Sequence, residues 1–461
     1  MNTTSITHER FSEKFAKLNL SVNWQLPPLT PLIWSWLALM LLGWVMVMSA
    51  STSIAETYTG KASYFSLRHA IYLVMGIGAA YVVSLIPMRW WQKVDWLLLM
   101  VGIVGLVAVL IPGIGHEVNG SARWLNLGFM KIQPSEIVKL AVVLYIAGYL
   151  IRRQDEVQNQ WSGFLKPLIL LGVIVVLLML EPDFGSVVVL MGAVLTLLFL
   201  GGVKAGQFFL LVVVTVALGY LAVTSSDYRL ARVTAYLEPF HPDHVYGSGY
   251  QLAQSLIAFG RGELFGVGLG ESVQKLFYLP EAHTDFVFAI WAEETGLVGA
   301  LLALSLLAFF LWQCMAIGWT AQKHGKLYGA FICFGIATLF TLQIIINLGV
   351  NTGLLPTKGL TLPFFSYGGS SLLICCVMVA LVHRVSVETE SVGQENSKKE
   401  TGTKTKAKTK KNSIAKTAAK NSKTPVKKEQ PAVADNALLT PVIESEFESM
   451  LEMEAGGQND K

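Results

Sequence analysis

The sequence predicts an all-α polytopic membrane protein with about ten transmembrane helices. Of its 461 residues, 53% are hydrophobic and only 14% are charged, and the apolar residues occur in long runs. An average soluble domain carries roughly 25% charged residues, so this composition argues against an ordinary soluble enzyme. About 20 helical residues cross the roughly 30 Å of hydrocarbon in a bilayer, and the apolar runs reach that length.

Ten runs form the predicted membrane domain, residues 31–385. They lie near 31–50, 67–87, 96–112, 133–151, 167–181, 186–203, 207–224, 286–313, 327–349 and 366–385. Only the short interruption at 181–185 divides the stretch from 167 to 203. Residues 1–30 lack the apolar core and cleavage site of a signal peptide, so we expect a cytoplasmic N-terminal segment.

Lys and Arg are retained preferentially on the cytoplasmic side of membrane helices, and they predict that both termini lie in the cytoplasm. The loops assigned to the inside carry Arg89, Lys93, Arg152, Arg153, Lys166, Lys204, Lys323 and Lys326. This topology makes 225–285 a large periplasmic loop between helices 7 and 8. Within that loop, residues 251–259 are apolar enough to form a short helix at the interface.

Residues 386–461 are predicted to be a disordered cytoplasmic tail, Lys-rich and then acidic. Twelve lysines lie between Lys398 and Lys428, and acidic residues follow Asp435. Such a segment cannot bury enough apolar surface to fold alone. The net charge of +4 therefore describes a tail, and it does not indicate a nucleic-acid-binding surface.

Metal and nucleotide sites of common types are not indicated. The four cysteines lie in or beside apolar runs without metal-ligand spacing, so we interpret them as packing residues. The glycine-rich segment 266–270 lacks the Gly-Lys-Ser/Thr of a P-loop, so we expect no nucleotide cofactor.

One polar group precedes the fourth apolar run. Arg123 and Trp124 lie just before Glu136 and Lys139, which are three residues apart and share a helix face. This pattern fits a helix start with an internal ion pair. It also fits an anion site, since Arg pairs well with phosphates and carboxylates.

A second group, Glu281, His283, Thr284 and Asp285, precedes the eighth run. Thr284 or Asp285 would serve as a helix N-cap. Alternatively, Asp285 is a carboxylate held at the membrane surface, where it can act as a base.

Two further groups lie within apolar runs. Glu293 and Glu294 each need a partner, because unpaired charge in a membrane is costly; Lys139, Arg123 or a bound cation could serve. Prolines and glycines interrupt residues 347–371, and freed backbone at membrane depth usually lines a cavity.

Together these motifs resemble the SEDS (shape, elongation, division and sporulation) family of peptidoglycan glycosyltransferases. The resemblance covers about residues 30–385, and its most specific pieces are Leu279-Pro280-Glu281-Ala282-His283-Thr284-Asp285-Phe286 and Pro363-Phe364-Phe365-Ser366-Tyr367-Gly368-Gly369-Ser370-Ser371. Ala282, the extended N-terminus and the charged tail resemble the cell-division branch more than the elongation branch.

The resemblance implies polymerisation of lipid II into glycan strands at the septum, in the bacterial inner membrane. The partners it implies are a class B penicillin-binding protein similar to FtsI and other divisome proteins. It implies Asp285 as the essential residue, and Arg123, Glu136, Lys139 and Gln251 as polar cavity positions; we add His283 and Glu281 as candidate substrate contacts.

The chemistry leads to a similar expectation. A sugar hydroxyl acceptor needs a general base, whereas a lipid diphosphate leaves as an anion. We therefore expect one carboxylate, Asp285, to act as the base with inversion at the sugar. Arg123 and Lys139, or a divalent cation such as Mg²⁺ or Mn²⁺, would stabilise the diphosphate charge.

Two other functions fit the pattern. Ten helices with buried charges and a broken helix also describe a lipid II flippase, although the placement of Asp285 and the long loop on one side favours an enzyme. A structural organiser of the division site, acting through its tails, is the other alternative.

Overall fold

A computed structural model describes residues 30–118, 121–126, 128 and 130–391, which fall within one compact unit. The predictions for residues 1–29 and for the tail from residue 392 lie outside the described residues. The helices are α1 (Pro31–Thr59), α2 (Tyr64–Leu85), α3 (Met88–Leu110), α4 (Pro134–Arg152), α5 (Gln154–Asn159), α6 (Trp161–Leu180), α7 (Phe184–Leu200), α8 (Ala205–Thr224), α9 (Asp227–Leu237), α10 (Pro242–Val245), α11 (Tyr250–Gly262), α12 (Val287–Lys323), α13 (Leu327–Asn351) and α14 (Gly369–Ser391).

The all-α membrane fold is confirmed. Nine helices of the described part are long and apolar enough to cross a membrane: α1, α2, α3, α4, α6, α8, α12, α13 and α14. The tenth predicted crossing is α7, which has 17 residues and stands at the short end of the range for spanning helices.

Three helices continue well past the C-terminal ends of their predicted apolar runs. The helix α1 continues to Thr59, α12 to Lys323 and α14 to Ser391, so the membrane domain extends past the predicted boundary at residue 385. Polar residues at these ends extend the helices beyond the apolar stretch, and hydropathy alone does not detect them.

One small sheet was not predicted. Three short antiparallel strands, β1 (Gly115–Val118), β2 (Ser121–Asn126) and β3 (Lys131–Ile132), pair in the order β1-β2-β3 between α3 and α4. The predicted short helix at 251–259 is present as part of α11.

The bundle is organised around α13, which packs against α12, α7 and α4, while α1 packs against α12 and α2. The helices α4, α13 and α14 are the most enclosed spans, whereas most of α8 is exposed. The four cysteines are free and buried, as the packing interpretation requires.

The helix α12 is broken at Gly296, which has φ 67° and ψ −167°. Residues of the segment before α12 form hydrogen bonds with the backbone groups that the break leaves unpaired. The Val267 and Gly268 amides donate to the Glu293 and Glu294 carbonyls. The Leu297 amide donates to the Glu263 carbonyl. Backbone groups freed by a kink at membrane depth need such partners. The long loop is thereby attached to the break in α12.

Gly296→Ala is expected to lower the thermal stability of the purified protein strongly. A Cβ at this position would lie 2.4 Å from the Gly266 nitrogen, and the positive φ alone costs a non-glycine residue about 1–3 kcal/mol. Gly172→Ala is the matched control, because a Cβ there meets nothing within 4 Å. Equal melting temperatures for the two variants would show that the break in α12 does not require glycine at position 296.

Candidate functional site

One end of the bundle collects the polar groups predicted from the sequence. The sheet, the α6–α7 turn, residues 225–286 and residues 352–368 all lie there, because they connect helix ends on the same side. We call this the site end.

Asp285 lies in a tight turn just before α12. Glu281 adopts φ 56°, and its carbonyl accepts hydrogen bonds from the amides of Thr284, Asp285 and Phe286. The N-cap of α12 is Phe286, without a side-chain cap. The capping role considered for Thr284 or Asp285 is therefore not realised, and the Asp285 carboxylate is not used to start the helix.

Two buried asparagines on α13 fix the backbone of Asp285. Its carbonyl accepts hydrogen bonds from the Nδ2 atoms of Asn347 at 2.8 Å and Asn351 at 3.0 Å. The Asn351 Oδ1 atom also accepts from the Ala289 amide in the first turn of α12. These contacts attach the turn to the most central helix, so Asp285 has a fixed position.

The Asp285 carboxylate lies beside Gly359, where a Cβ would sit 3.0 Å from Oδ2. Burial raises the pKa of Asp285 to about 7, and the negative charge of Glu281 adds to this, while Arg123 and Arg232 act in the opposite direction. A carboxylate with a pKa near neutrality is suited to general base catalysis.

A group of cations surrounds the same segment. Burial lowers the pKa of Lys358 to about 8, helped by the nearby charges of Arg232, Arg229 and Arg123 and opposed by Asp183. Arg232 donates to the Thr357 carbonyl at 3.1 Å. The Nε atom of Arg229 is buried without a hydrogen-bond partner among the described residues. We call Arg123, Arg229, Arg232 and Lys358 the cation cluster.

Arg123 is held against the turn between α6 and α7. Its Nε donates to the Glu181 carbonyl at 3.1 Å, and its Nη2 donates to the Pro182 carbonyl at 2.6 Å. Burial and the neighbouring Asp183 raise the pKa of the Glu181 side chain to about 8, against the effect of Arg123. The turn therefore brings a largely neutral carboxyl next to the cation cluster.

Glu136 and Lys139 form an ion pair with each other, with Nζ 2.9 Å from Oε1. Lys139 is fully buried, so the structure shows the internal ion pair that their spacing allowed. Their contact with substrate stays a prediction.

His283 lies against two aromatic rings. The His283 ring is 5.1 Å from that of Phe65 and 5.7 Å from that of Tyr367, and burial lowers its pKa despite Glu281. The Glu281 carboxylate accepts a hydrogen bond from the Thr284 hydroxyl at 2.7 Å.

Gln251 lies on α11 and is partly exposed. It lies one turn before Ser255, whose hydroxyl donates to the Asn351 carbonyl.

Glu293 and Glu294 have partners that sequence reasoning missed. Arg261 donates to Glu293 at 3.0 Å, and Lys275 donates to Glu294 at 2.8 Å. Both cations come from the long loop, and neither Lys139 nor Arg123 is used. The two carboxylates therefore hold the loop onto α12.

Other residues of the site were not given individual roles from the sequence: Arg229, Arg232, Lys358, Asn347 and Asn351. The cations were visible only as charges in the predicted outer segments. Both asparagines lie in the segment 347–371 that was expected to line a cavity, and their spacing of four residues, which places them on one helix face, is the further signal that could have paired them.

Within the described ranges, no group of three or more His, Cys, Asp or Glu residues is arranged to hold a metal ion. A metal bound here would therefore need oxygen ligands besides such a cluster, for example substrate phosphates or water.

Comparison with known sequences gives consistent results. Residues 30–391 match the cell cycle protein family of FtsW, RodA and SpoVE. A protein from Hahella chejuensis named probable peptidoglycan glycosyltransferase FtsW is 52% identical over 78% of this chain and 90% of its own length. The protein of the same name from Pseudomonas fluorescens is 51% identical over 78% of this chain and 88% of its own.

Solved structures share the fold. A chain from a peptidoglycan synthase complex that coordinates polymerization and crosslinking is 27% identical, with a TM-score of 0.64 over 79% of this chain and 99% of its own. The rod shape determining protein RodA of Thermus thermophilus is 26% identical, with a TM-score of 0.59 over 79% of this chain and 98% of its own.

Proposed function

This chain belongs to the FtsW, RodA and SpoVE family of cell cycle proteins, and we propose that it is a septal peptidoglycan glycosyltransferase in which Asp285 is the general base. Relatives about 50% identical over most of the chain carry the name probable peptidoglycan glycosyltransferase FtsW. The observation that supports the catalytic assignment best is the Asp285 carboxylate, fixed by its backbone and left free of any capping role.

In the proposed reaction, the Asp285 carboxylate takes the proton of the acceptor sugar hydroxyl. The hydroxyl oxygen attacks the anomeric carbon of the donor, a glycosidic bond forms, and the bond to the lipid diphosphate breaks. The configuration inverts because there is one displacement. A positioned general base typically contributes roughly 10²- to 10⁴-fold to such a rate.

The cation cluster suits the leaving diphosphate. Charge that develops during a reaction is stabilised most by groups that are already in place. Next to Gly359, which lies beside Asp285, Arg232 donates to the Thr357 carbonyl and the Lys358 Nζ lies 4.4 Å from the centre of the Phe184 ring. Lys139, expected in this role, is occupied by Glu136, so Arg123 acts here with Arg229, Arg232 and Lys358.

We also propose that a divalent cation, Mg²⁺ or Mn²⁺, assists the reaction. Magnesium is commonly held by one or two carboxylates together with substrate phosphates; because Asp285 must stay free to take the proton, the diphosphate of the substrate would be the main ligand of the metal. It would supply further positive charge to the diphosphate. We expect EDTA to lower polymerisation and either metal to restore it.

Lipid II is the proposed substrate, and a class B penicillin-binding protein similar to FtsI is the proposed partner. A solved relative belongs to a synthase complex, which supports a cross-linking partner for this chain. We place the protein in the inner membrane at the septum, with divisome proteins around it. The test is fluorescent lipid II with the purified chain, with and without the partner, and absence of polymer in both would contradict the proposal.

The pH profile of polymerisation is expected to be bell-shaped, with its optimum between about pH 7 and 8. Asp285 must be deprotonated to act as a base, so activity rises with pH through its pKa of about 7. Lys358 must stay charged, so activity falls as pH rises through its pKa of about 8.

Lys358→Arg tests whether Lys358 causes the alkaline limb of the pH profile. Arg stays protonated throughout this range, so the alkaline limb is expected to move to higher pH while the acid limb stays. An unchanged alkaline limb in this variant would show that the charge of Lys358 is not required.

A further inference from the structure

The buried amide of Asn347 joins two segments of the site that are far apart in the sequence. Asn347 lies on α13 and is 2% exposed, so it is not placed to contact a substrate. An Asn amide nitrogen carries two protons, and both are used here. The Nδ2 atom donates to the Asp285 carbonyl at 2.8 Å and to the Leu360 carbonyl at 2.7 Å.

The segment that ends at Leu360 carries one of the cations of the site. Lys358 lies two residues before Leu360, and Gly359 between them lies beside the Asp285 carboxylate. The Lys358 Nζ atom is 4.4 Å from the centre of the Phe184 ring, at the start of α7. The segment therefore carries a member of the cation cluster past the proposed base.

Leu360 fixes this segment to two helices. Its side chain is buried and packs against the first turn of α7, where a Cβ on Gly185 would lie 2.9 Å from the Leu360 Cγ atom. Its carbonyl accepts the hydrogen bond from Asn347. Leu360 is thus held by α7 through its side chain and by α13 through its backbone.

A second asparagine separates the two contacts of Asn347. The Asn351 Nδ2 atom donates to the Asp285 carbonyl at 3.0 Å and to the Asn347 carbonyl at 2.8 Å. The Asp285 carbonyl therefore keeps a donor when the Asn347 amide is removed. The Leu360 carbonyl, in contrast, loses the bond that attaches it to α13.

We propose that Asn347 is a positioning residue that sets the distance between the Asp285 carboxylate and the segment carrying Lys358. This role rests on the proposed function, in which Asp285 takes a proton while the cation cluster stabilises the leaving diphosphate. Both groups must be in place in the same transition state, and a displacement of about 1 Å can cost about 10²-fold in rate.

Asn347→Leu is the test, because Leu has a similar size and no hydrogen-bond donor on its side chain. We expect kcat for lipid II polymerisation to fall by about 10- to 100-fold, with little change in KM. The melting temperature is measured alongside.

The pH profile of Asn347→Leu gives a second readout. The alkaline limb is expected to move to higher pH, because a loosened segment lets Lys358 reach water, and burial is the main cause of its lowered pKa. The acid limb is expected to stay, since Asn351 still holds the Asp285 turn. The variant changes none of the charged groups near Lys358, which are Arg123, Arg229, Arg232 and Asp183.

Gln343→Leu is the matched control. Gln343 lies one turn before Asn347 on α13 and is 2% exposed, and its Oε1 atom has no hydrogen-bond partner among the described residues. This variant removes a buried amide from the same helix without removing a contact to the site. Its kcat and pH profile are expected to stay close to those of wild type.

Hydrogen exchange reports the position of the segment without the reaction. In Asn347→Leu, the backbone amides of residues 357–362 are expected to exchange faster than in wild type, with those of residues 284–286 unchanged. Unchanged exchange at 357–362 would overturn the proposal. Faster exchange throughout α12 and α13 would also overturn it, because the loss of rate would then follow from general destabilisation.

Two further results would count against this role. Wild-type kcat and pH profile in Asn347→Leu, or an equal loss of kcat in Gln343→Leu, would overturn the positioning role alone and leave the proposed function standing. Absence of polymer with the wild-type protein would overturn the proposed function and, with it, this role of Asn347.

Discussion

Asp285→Asn is expected to lower the polymerisation rate by roughly 10²- to 10⁴-fold, the contribution of a positioned general base. Asn has nearly the same shape but cannot accept the proton from the acceptor hydroxyl. The contacts of Asn347 and Asn351 are made to the Asp285 backbone, so the turn is expected to persist. The measurement is the initial rate of glycan formation, together with the melting temperature of the variant.

Glu281→Gln is the matched control, because it changes a neighbouring carboxylate in the same turn. A Gln carbonyl can still accept from the Thr284 hydroxyl, as Glu281 does. Since Glu281 raises the pKa of Asp285, its loss is expected to move the acid limb of the pH profile to lower pH while most activity remains. Equal losses of polymerisation rate in Asp285→Asn and Glu281→Gln would contradict the assignment of Asp285 as the base.

Lys275→Met is expected to destabilise the protein by about 3–5 kcal/mol, the usual effect of leaving one buried charge unpaired. Lys275 and Glu294 form a buried ion pair, and the Lys275 Nζ also donates to Ser49 and to the Gly270 carbonyl. The change leaves Glu294 with Ser49 as its remaining partner. The measurement is thermal unfolding of the purified protein.

A second change tests the pairing itself. Adding Glu294→Leu to Lys275→Met removes both charges, and replacing both members of a buried pair by apolar residues is often neutral. We expect the double variant to recover much of the lost stability. Arg153→Ala, at an exposed ion pair with Glu156, should change the melting temperature little. A double variant less stable than Lys275→Met would contradict the account.

The sequence predicted the parts of this fold that depend on hydropathy. Ten apolar runs correspond to ten apolar helices, because burial in lipid requires continuous apolar stretches. The motif around Asp285 was found because polar and turn-forming residues stand out before an apolar run. The function was predicted through the family resemblance.

Pairing between distant residues could not be predicted in the same way. Glu293 and Glu294 visibly needed partners, but Arg261 and Lys275 lie in the loop before α12, and the break at Gly296 that brings them together leaves no hydropathy signal. Lys139 shows the converse: its partner was three residues away, and that local spacing indicated the pair.

The central claim is that this chain joins lipid-linked sugars and does not merely move them across the membrane. The most direct measurement uses proteoliposomes that contain the chain with its penicillin-binding partner and fluorescent lipid II, and reads glycan length and lipid scrambling in the same sample. We predict polymer with wild type and its loss with Asp285→Asn. Scrambling without polymer in both proteins would contradict the claim and favour the flippase.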